Sequence, residues 1–240
     1  MSSLFASINM DLKGLSVLLT AGPTQEAIDP VRYISNHSTG KMGYALAEVL
    51  AERGAKVILV SGPTNLTARH AAINVIPVRS AAEMYAVCQH HFPKATITVL
   101  TAAVADYTPK VVADRKIKKQ ETEFCLELVR TVDIAARLGQ QKRNDQLMIG
   151  FALETDNELA NAQAKLVSKN LDLIVLNSLR DEGAAFGHDT NQITLIHRNG
   201  AIHRFGLKSK RAVACDIADQ IGIILPVSIY QSTHQQTQKP

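Results

Sequence analysis

The sequence predicts an α/β fold, in which helices cover both faces of a mostly parallel sheet. Short and nearly all-apolar runs at 16–20 (SVLLT) and 56–60 (KVILV) are typical of strands that are buried on both faces. Between them, residues 42–50 carry apolar side chains at helical spacing, and Gly54 follows as a helix stop. A β-α-β unit of this kind winds right-handed into a parallel sheet.

The same alternation continues along the chain. Ser80 and Glu83 form a capping-box pattern, which predicts the start of a helix. Further strands are predicted at 73–78, 96–100, 147–151 and 171–176, and helices at 80–91, 157–169 and 209–224. Strands that alternate with helices favour a parallel sheet.

Two regions depart from this alternation and predict antiparallel strands. Residues 123–129 alternate between apolar and polar side chains, as expected of a half-exposed strand. The runs at 192–197 and 201–205 flank Asn199-Gly200, which is a strong hairpin signal. We therefore expect an antiparallel extension beside the parallel sheet.

The composition fits one globular domain. With 46% apolar residues the chain can bury a sizeable core, so we interpret residues 1–230 as a single domain. The polar tail at 231–240 is expected to be disordered. The net charge of +4 predicts a basic cleft for small phosphorylated ligands. Nucleic acid is disfavoured as a partner, because the chain has no Trp and no aromatic side chains interleaved with basic ones.

Cysteine usage and hydropathy indicate the compartment. Cys88, Cys125 and Cys215 lie far apart and show no Cys-x-x-Cys spacing, which fits a reducing environment. The first residues do not show the basic and apolar regions of a signal peptide, and no apolar run approaches the roughly 18 residues of a membrane span. The sequence therefore predicts a cytoplasmic protein with no membrane partner.

The connection at 21–39, after the first predicted strand, is far longer than the usual ~2–6 residues of such loops. Long loops at the carboxyl ends of parallel strands bind ligands in open α/β sheets. This one leads into a predicted helix through Ser38, Thr39 and Gly40, which are placed to donate hydrogen bonds to phosphate oxygens. The alternative is an ordinary capped helix after a surface loop.

Neither common nucleotide motif accounts for this loop. A Walker A loop requires Gly where Ser35 stands and Ser or Thr where Met42 stands. A dinucleotide fingerprint requires a carboxylate at the end of the second strand, where the chain has Ser61-Gly62. NAD is therefore disfavoured as a ligand.

Six segments occur in a recognisable order: LLTAGPT, DPVRYISNHSTGKMGYALAE, AAVADY, KIKK, GFALET and KNLDLIVLN. On these segments, the chain resembles phosphopantothenoylcysteine synthetase, the synthetase half of the bacterial bifunctional coenzyme A biosynthesis protein. The resemblance implies a Rossmann-like fold and a CTP-dependent ligase that joins 4′-phosphopantothenate to L-cysteine through an acyl-cytidylate, with Mg²⁺ as cofactor. Because the segments begin within twenty residues of Met1, we expect a stand-alone synthetase without the decarboxylase half and without flavin.

The resemblance also implies a homodimer, for which the antiparallel segments are the candidate interface or flap. Asn36 matches the family's catalytic asparagine, whose amide can donate to the acyl oxygen as negative charge develops. Lys116, at the head of KIKK, matches the lysine that neutralises the phosphate under attack, and Arg32 is a candidate for holding an anionic substrate group. The cations of residues 115–119 repel one another without an anion, which predicts a flap over the triphosphate.

Further nucleotide contacts follow from the resemblance. Asp106 is the candidate Mg²⁺ ligand, and Ala103 is placed near both the nucleotide and the acyl group. The implied nucleotide-binding residues besides Lys116 are Ser38, Thr39, Gly40, Ala102, Ala103, Asp106, Val132, Asp133, Ile134, Ala135, Phe151, Lys165 and Lys169. Residues 131–134 read Thr-Val-Asp-Ile where relatives tend to have Asn-Pro-Asp-Ile, a departure that bears on base selectivity.

Two other classes of function remain open on the sequence. An NAD(P)-dependent oxidoreductase would share the Rossmann-like layout, since fold does not fix function. The missing acid after the second strand argues against it. A non-catalytic nucleotide-binding module is the other alternative, and the combination of Asn36, Lys116 and Asp106 argues against that.

Overall fold

A computed structural model describes residues 11–119, 123–154, 156–178 and 189–226 of the chain. The predicted tail at 231–240 lies outside the described residues. Within them, no helix combines the length and the apolar character that crossing a membrane requires.

The strands, numbered in chain order, are β1 (Ser16–Ala21), β2 (Gln25–Ala27), β3 (Tyr33–Ser35), β4 (Lys56–Ser61), β5 (Ile73–Pro77), β6 (Ile97–Leu100), β7 (Tyr107–Pro109), β8 (Leu128–Arg130), β9 (Leu147–Glu154), β10 (Leu173–Ser178), β11 (Thr190–Asn191), β12 (Ile193–His197), β13 (Ile202–Arg204) and β14 (Lys208–Ser209). The helices are α1 (Lys41–Glu52), α2 (Ala81–His91), α3 (Ile134–Gln141), α4 (Glu158–Ser168) and α5 (Lys210–Ile224), with a 3₁₀ turn at Phe92–Lys94.

The main sheet has eight strands in the order β13-β12-β10-β9-β6-β1-β4-β5. Neighbouring strands from β10 to β5 are parallel, and β12 and β13 continue the sheet as an antiparallel hairpin. The α/β prediction and the late hairpin are therefore confirmed. Gly200 in the turn has a φ of 89°, a left-handed conformation that glycine adopts without a side-chain clash.

Alternate side chains of the parallel strands build two cores. In β1, Val17 and Leu19 pack on one side of the sheet with α1 and α5, while Leu18 packs on the other side with α2, α3 and α4. This is the pattern expected when successive side chains of a strand point to opposite faces. Helices on both faces, as predicted, leave the carboxyl ends of the strands free to hold a site.

Three local features differ from the predictions. The long loop at 21–39 contains the short antiparallel pair β2 and β3. Helix α3 was not predicted; it starts at an Asp133 side chain that accepts from the Ala136 N–H. The prediction of a strand at 123–129 was wrong for residues 123–127. The partner strand β7 is only three residues long, so the pairing is confined to Leu128–Arg130.

Candidate active site

A cleft of about 740 Å³ opens at the carboxyl ends of β1, β6, β9 and β10. The predicted site residues that line it are Asn36, Ser38, Thr39, Gly40, Ala102, Ala103, Asp106, Val132, Asp133, Ile134, Ala135, Phe151, Lys165 and Lys169. Arg32 and Lys116 are not among its lining residues. The cleft therefore gathers residues of five sequence segments, which come from the loops after β1 and β6, the start of α3, strand β9 and the end of α4.

The start of helix α1 forms one wall of the cleft. Gly40 precedes the helix with a φ of 78°, and a Cβ there would lie 3.3 Å from the Cα of Gly22. A Cβ on Gly43 would lie 2.5 Å from the Oγ1 of Thr101 and 2.6 Å from the Cβ of Ala21. The N-cap residue Gly40 provides no side chain to cap α1, and the first residues of the helix line the cleft, at the position where the sequence predicts phosphate binding.

Hydrogen bonds between the loops that follow β1 and β6 fix the position of the Asn36 side chain. The Ala103 N–H donates to the Gly22 carbonyl at 3.0 Å, and the Ala103 carbonyl accepts from the Thr24 N–H at 3.2 Å. The same carbonyl accepts from the Asn36 Nδ2 at 2.9 Å. Asn36 is exposed to the cleft. One amide hydrogen is therefore used to orient the side chain, and the second is left for a ligand.

The opposite wall carries two lysines in ion pairs. The Lys169 ammonium lies 3.1 Å from the Asp133 carboxylate, and the Lys165 ammonium lies 2.5 Å from Glu154. Partial burial raises the pKa of Asp133, but the Ala136 N–H and the Lys169 ammonium outweigh it, so the net pKa of that carboxyl is below its ordinary value. Asp133 is therefore anionic at neutral pH and holds Lys169 at the cleft.

Asp106 is the one predicted metal ligand. Its carboxylate is exposed on the cleft wall, and its backbone carbonyl accepts from the Thr131 N–H at 3.0 Å. Among the described residues, no group of three or more His, Cys, Asp or Glu side chains could hold a metal ion. A Mg²⁺ ion that is bound mainly by phosphates needs only one or two protein carboxylates. Asp106 fits that requirement.

Arg32 and the basic segment (residues 115–119) are joined outside the cleft by a buried carboxylate. Asp29 accepts from the Arg32 Nη2 at 2.6 Å and from the Ile117 N–H at 3.1 Å. Arg32 also donates to the Ile117 carbonyl at 3.1 Å. The Arg32 guanidinium holds the pKa of Asp29 well below its usual range despite the burial that opposes it, and backbone N–H donors assist. Lys116 itself is exposed.

Several cleft residues were missed by sequence reasoning, chiefly Lys41, Arg130, Asn177, Asn191 and Lys210. Lys41 lies inside the SNHSTGKMG segment, and Asn177 directly follows the strand predicted at 171–176, so position alone could have identified both. Asn191 donates to the Asn177 Oδ1 at 3.2 Å. Lys210 carries no such signal, because it reaches the cleft from the last helix.

Comparison with known proteins places the chain among related sequences. A family described as "DNA/pantothenate metabolism flavoprotein C-terminal domain" matches residues 12–224. A protein of an unknown prokaryotic organism named cysteine/cysteine sulfinic acid decarboxylase is 53% identical over 210 residues, which make up 88% of this chain and 58% of that protein. The coenzyme A biosynthesis bifunctional protein CoaBC of Bacillus subtilis (strain 168) is 47% identical over 213 residues, 89% of this chain and 52% of that protein.

A solved structure covers the same region. The crystal structure of the C-terminal domain of coenzyme A biosynthesis bifunctional protein CoaBC is 41% identical, with a TM-score of 0.76, over 90% of this chain and 97% of that one. The chain thus spans about half the length of the curated relatives that it matches.

Proposed function

The chain belongs to the DNA/pantothenate metabolism flavoprotein C-terminal domain family, and we propose that it is a CTP-dependent ligase that joins 4′-phosphopantothenate to L-cysteine. The observation that carries this proposal is the cleft, which is lined by the Asn36 amide, the start of α1, Lys165 of α4 and Lys169 directly after α4. That combination suits a reaction that passes an acyl group through a nucleotide-bound intermediate.

The proposed chemistry has two steps. The substrate carboxylate attacks the α-phosphorus of CTP, so that a carboxyl oxygen–phosphorus bond forms and pyrophosphate leaves. The cysteine amine then attacks the acyl carbon and a carbon–nitrogen bond forms. The acyl carbon–oxygen bond breaks, CMP leaves with its electron pair, and the amine nitrogen loses a proton to solvent. A free carboxylate is a poor acyl donor, and the nucleotide supplies the leaving group that it lacks.

We assign Asn36 to the second step. As the amine adds, negative charge develops on the acyl oxygen, and a donor already oriented by the Ala103 carbonyl stabilises it without further reorganisation. Arg32 is assigned to an anionic substrate group. Lys116 is assigned to the phosphate under attack, a role that requires the basic segment to approach the cleft.

The nucleotide is assigned to the remaining lining residues. Ser38, Thr39 and Gly40 donate to phosphate oxygens at the start of α1, while residues 132–135 and Phe151 face the nucleoside. Lys165 and Lys169 supply positive charge on the opposite wall. Asp106 is the proposed contact for Mg²⁺, whose chemistry when bound is to neutralise phosphate charge.

We further propose that residues 1–230 act as one catalytic domain, and that the chain is a cytoplasmic homodimer. The free thiols Cys88, Cys125 and Cys215 support a reducing compartment. Exposed apolar side chains on β7 and β8, with Tyr107 at 45% and Leu128 at 41% exposure, support the antiparallel pair as an interface or flap.

The two relatives that match this chain have different names as whole proteins, so a test must separate ligation from decarboxylation. The decisive assay measures pyrophosphate release from CTP, ATP or GTP with phosphopantothenate, with and without cysteine, and in parallel the release of CO₂ from cysteine sulfinic acid. We expect pyrophosphate from CTP and a cysteine-dependent amide product. If none of the three nucleotides yields pyrophosphate, the ligase proposal is refuted. Release of CO₂ without any pyrophosphate would instead favour decarboxylation of cysteine sulfinic acid.

A further inference from the structure

Two lysines that the proposed function leaves without a role lie at one end of the cleft. Lys41 is the first residue of α1 and Lys210 is the first residue of α5, and both line the cleft. Helices α1 and α5 pack against each other on the same face of the sheet. Two lysines that are distant in sequence are therefore brought to one edge by the fold.

Asp189 connects the two lysines. Its Oδ1 lies 2.6 Å from the Lys41 ammonium, and its backbone carbonyl accepts from the Lys210 N–H at 2.9 Å. The Asp189 side chain is 87% exposed, whereas the Lys41 side chain is 35% exposed. An exposed carboxylate is well hydrated and screened by salt, so it stabilises a neighbouring ammonium only weakly.

The two ammonium groups also affect each other. Partial burial lowers the pKa of Lys210 most, the positive charge of Lys41 lowers it further, and Asp189 offsets part of both effects. The cleft's other described carboxylates do not balance this end, since Asp106 and Asp133 lie on other segments and Asp133 is paired with Lys169. Among the described residues, this end of the cleft carries the ammonium groups of Lys41 and Lys210 and the carboxylate of Asp189.

We infer that Lys41 and Lys210 form a subsite for a phosphate group carried by one of the substrates, with Asp189 as the counterion that the phosphate displaces. The identity of the substrates rests on the proposed function. Two sources share this chemistry: the terminal phosphates of the nucleotide and the phosphate ester of the acid substrate. Lys41 directly follows Gly40, where the nucleotide phosphates are proposed to bind, so we expect the first source.

Calorimetric titration of the intact chain tests the subsite without turnover. The ligands are inorganic pyrophosphate, CTP, CMP, phosphopantothenate and pantothenate, and the variants are Lys41→Met and Lys210→Met. Lys208→Met is the matched control, because Lys208 lies two residues before Lys210, pairs with Asp216 at 2.8 Å, and does not line the cleft. Melting temperatures are measured for each variant, and Lys41→Arg and Lys210→Arg are the charge-preserving counterparts.

We expect each Met variant to weaken pyrophosphate and CTP binding at least ~10-fold, the loss of one charged hydrogen bond, with CMP unchanged and the Arg variants close to wild type. A loss confined to phosphopantothenate, with pantothenate unchanged, would support the same subsite with the second source. If no phosphorylated ligand is weakened more than by Lys208→Met, the lysines only join α1 to the 189–191 segment and the inference is wrong. Lysine-dependent pyrophosphate binding in a chain that never releases pyrophosphate from a nucleotide would refute the proposed function and leave the subsite standing.

Discussion

Replacing Asn36 with Asp separates the two proposed half-reactions. The change is nearly isosteric, but it replaces the Nδ2 donor with an oxygen. That oxygen would face the Ala103 carbonyl at the 2.9 Å now spanned by a hydrogen bond, so two acceptors would oppose each other. The variant therefore loses both the bond that orients the side chain and the N–H that stabilises the acyl oxyanion.

The size of the effect follows from these two losses. Removing one preorganised oxyanion donor costs about 3 kcal/mol, which corresponds to a ~100- to 1000-fold slower step. Because the carboxylate also brings negative charge toward an oxygen that is becoming negative, we expect the upper part of this range for aminolysis. The attack on the α-phosphorus does not use this donor, so pyrophosphate release in the absence of cysteine should change by less than ~10-fold.

Rapid-quench measurements with labelled CTP distinguish the steps. We expect Asn36→Asp to accumulate the acyl-nucleotide and to pass it slowly to cysteine. Asn74→Asp makes the same chemical change on an exposed position of the edge strand β5 and should behave as wild type. If Asn36→Asp loses pyrophosphate formation as completely as overall turnover, the role assigned to Asn36 is wrong.

Three further predictions concern stability and reactivity. Gly43→Ala places a Cβ within 2.6 Å of two atoms at the ends of β1 and β6, so the free energy of unfolding should fall by about 1–3 kcal/mol and the KM for CTP should rise. Gly206→Ala is the control, because its Cβ would meet open space, and it should change neither quantity. Equal melting temperatures of the two variants would contradict this prediction. Asp29→Asn should speed tryptic cleavage within the basic segment by ~10-fold, because the substitution weakens the charged hydrogen bonds that anchor this segment. Unchanged cleavage would show that other contacts hold the segment. Iodoacetamide should modify exposed Cys125 and spare Cys88, because burial raises the pKa of the Cys88 thiol to about 12. In the unfolded chain this thiol loses its proton at a lower pH, so its contribution to stability should be complete below a pH of ~8.5 and should be lost as the pH rises toward 12. Denaturant titrations at alkaline pH can measure this loss.

The parallel core was predictable because its signal is local. Strands that are buried on both faces must be apolar at nearly every position, and each of the runs at 16–20, 56–60, 96–100, 147–151 and 171–176 became a strand of the main sheet. The strand predicted at 123–129 rested on an equally regular pattern, yet only its last residues found a partner. A pattern of alternating apolar and polar residues indicates which side chains a strand would bury. The number of residues that pair depends on the length of the neighbouring strand.

The cleft was predictable to the extent that each residue follows a strand end. Asn36, Ala103 and Asp106 belong to loops after neighbouring parallel strands, and such loops meet at one edge of the sheet. Lys210 could not be found in this way. It depends on the packing of α5 against α1, which is set by side chains along both helices and leaves no pattern near Lys210 itself.

The basic segment shows why matching a residue to a motif does not yet give its position. Arg32 and the Ile117 backbone bind the same buried carboxylate, so Lys116 is tied to the loop that also carries Asn36. Lys116 can reach a phosphate in the cleft in two ways: the loop and the segment move together, or the Asp29–Ile117 hydrogen bond breaks. If the loop and the segment move together, adding CTP should not change the rate at which trypsin cleaves the basic segment of Asp29→Asn. If the Asp29–Ile117 hydrogen bond breaks, adding CTP should slow this cleavage in both the wild type and the variant.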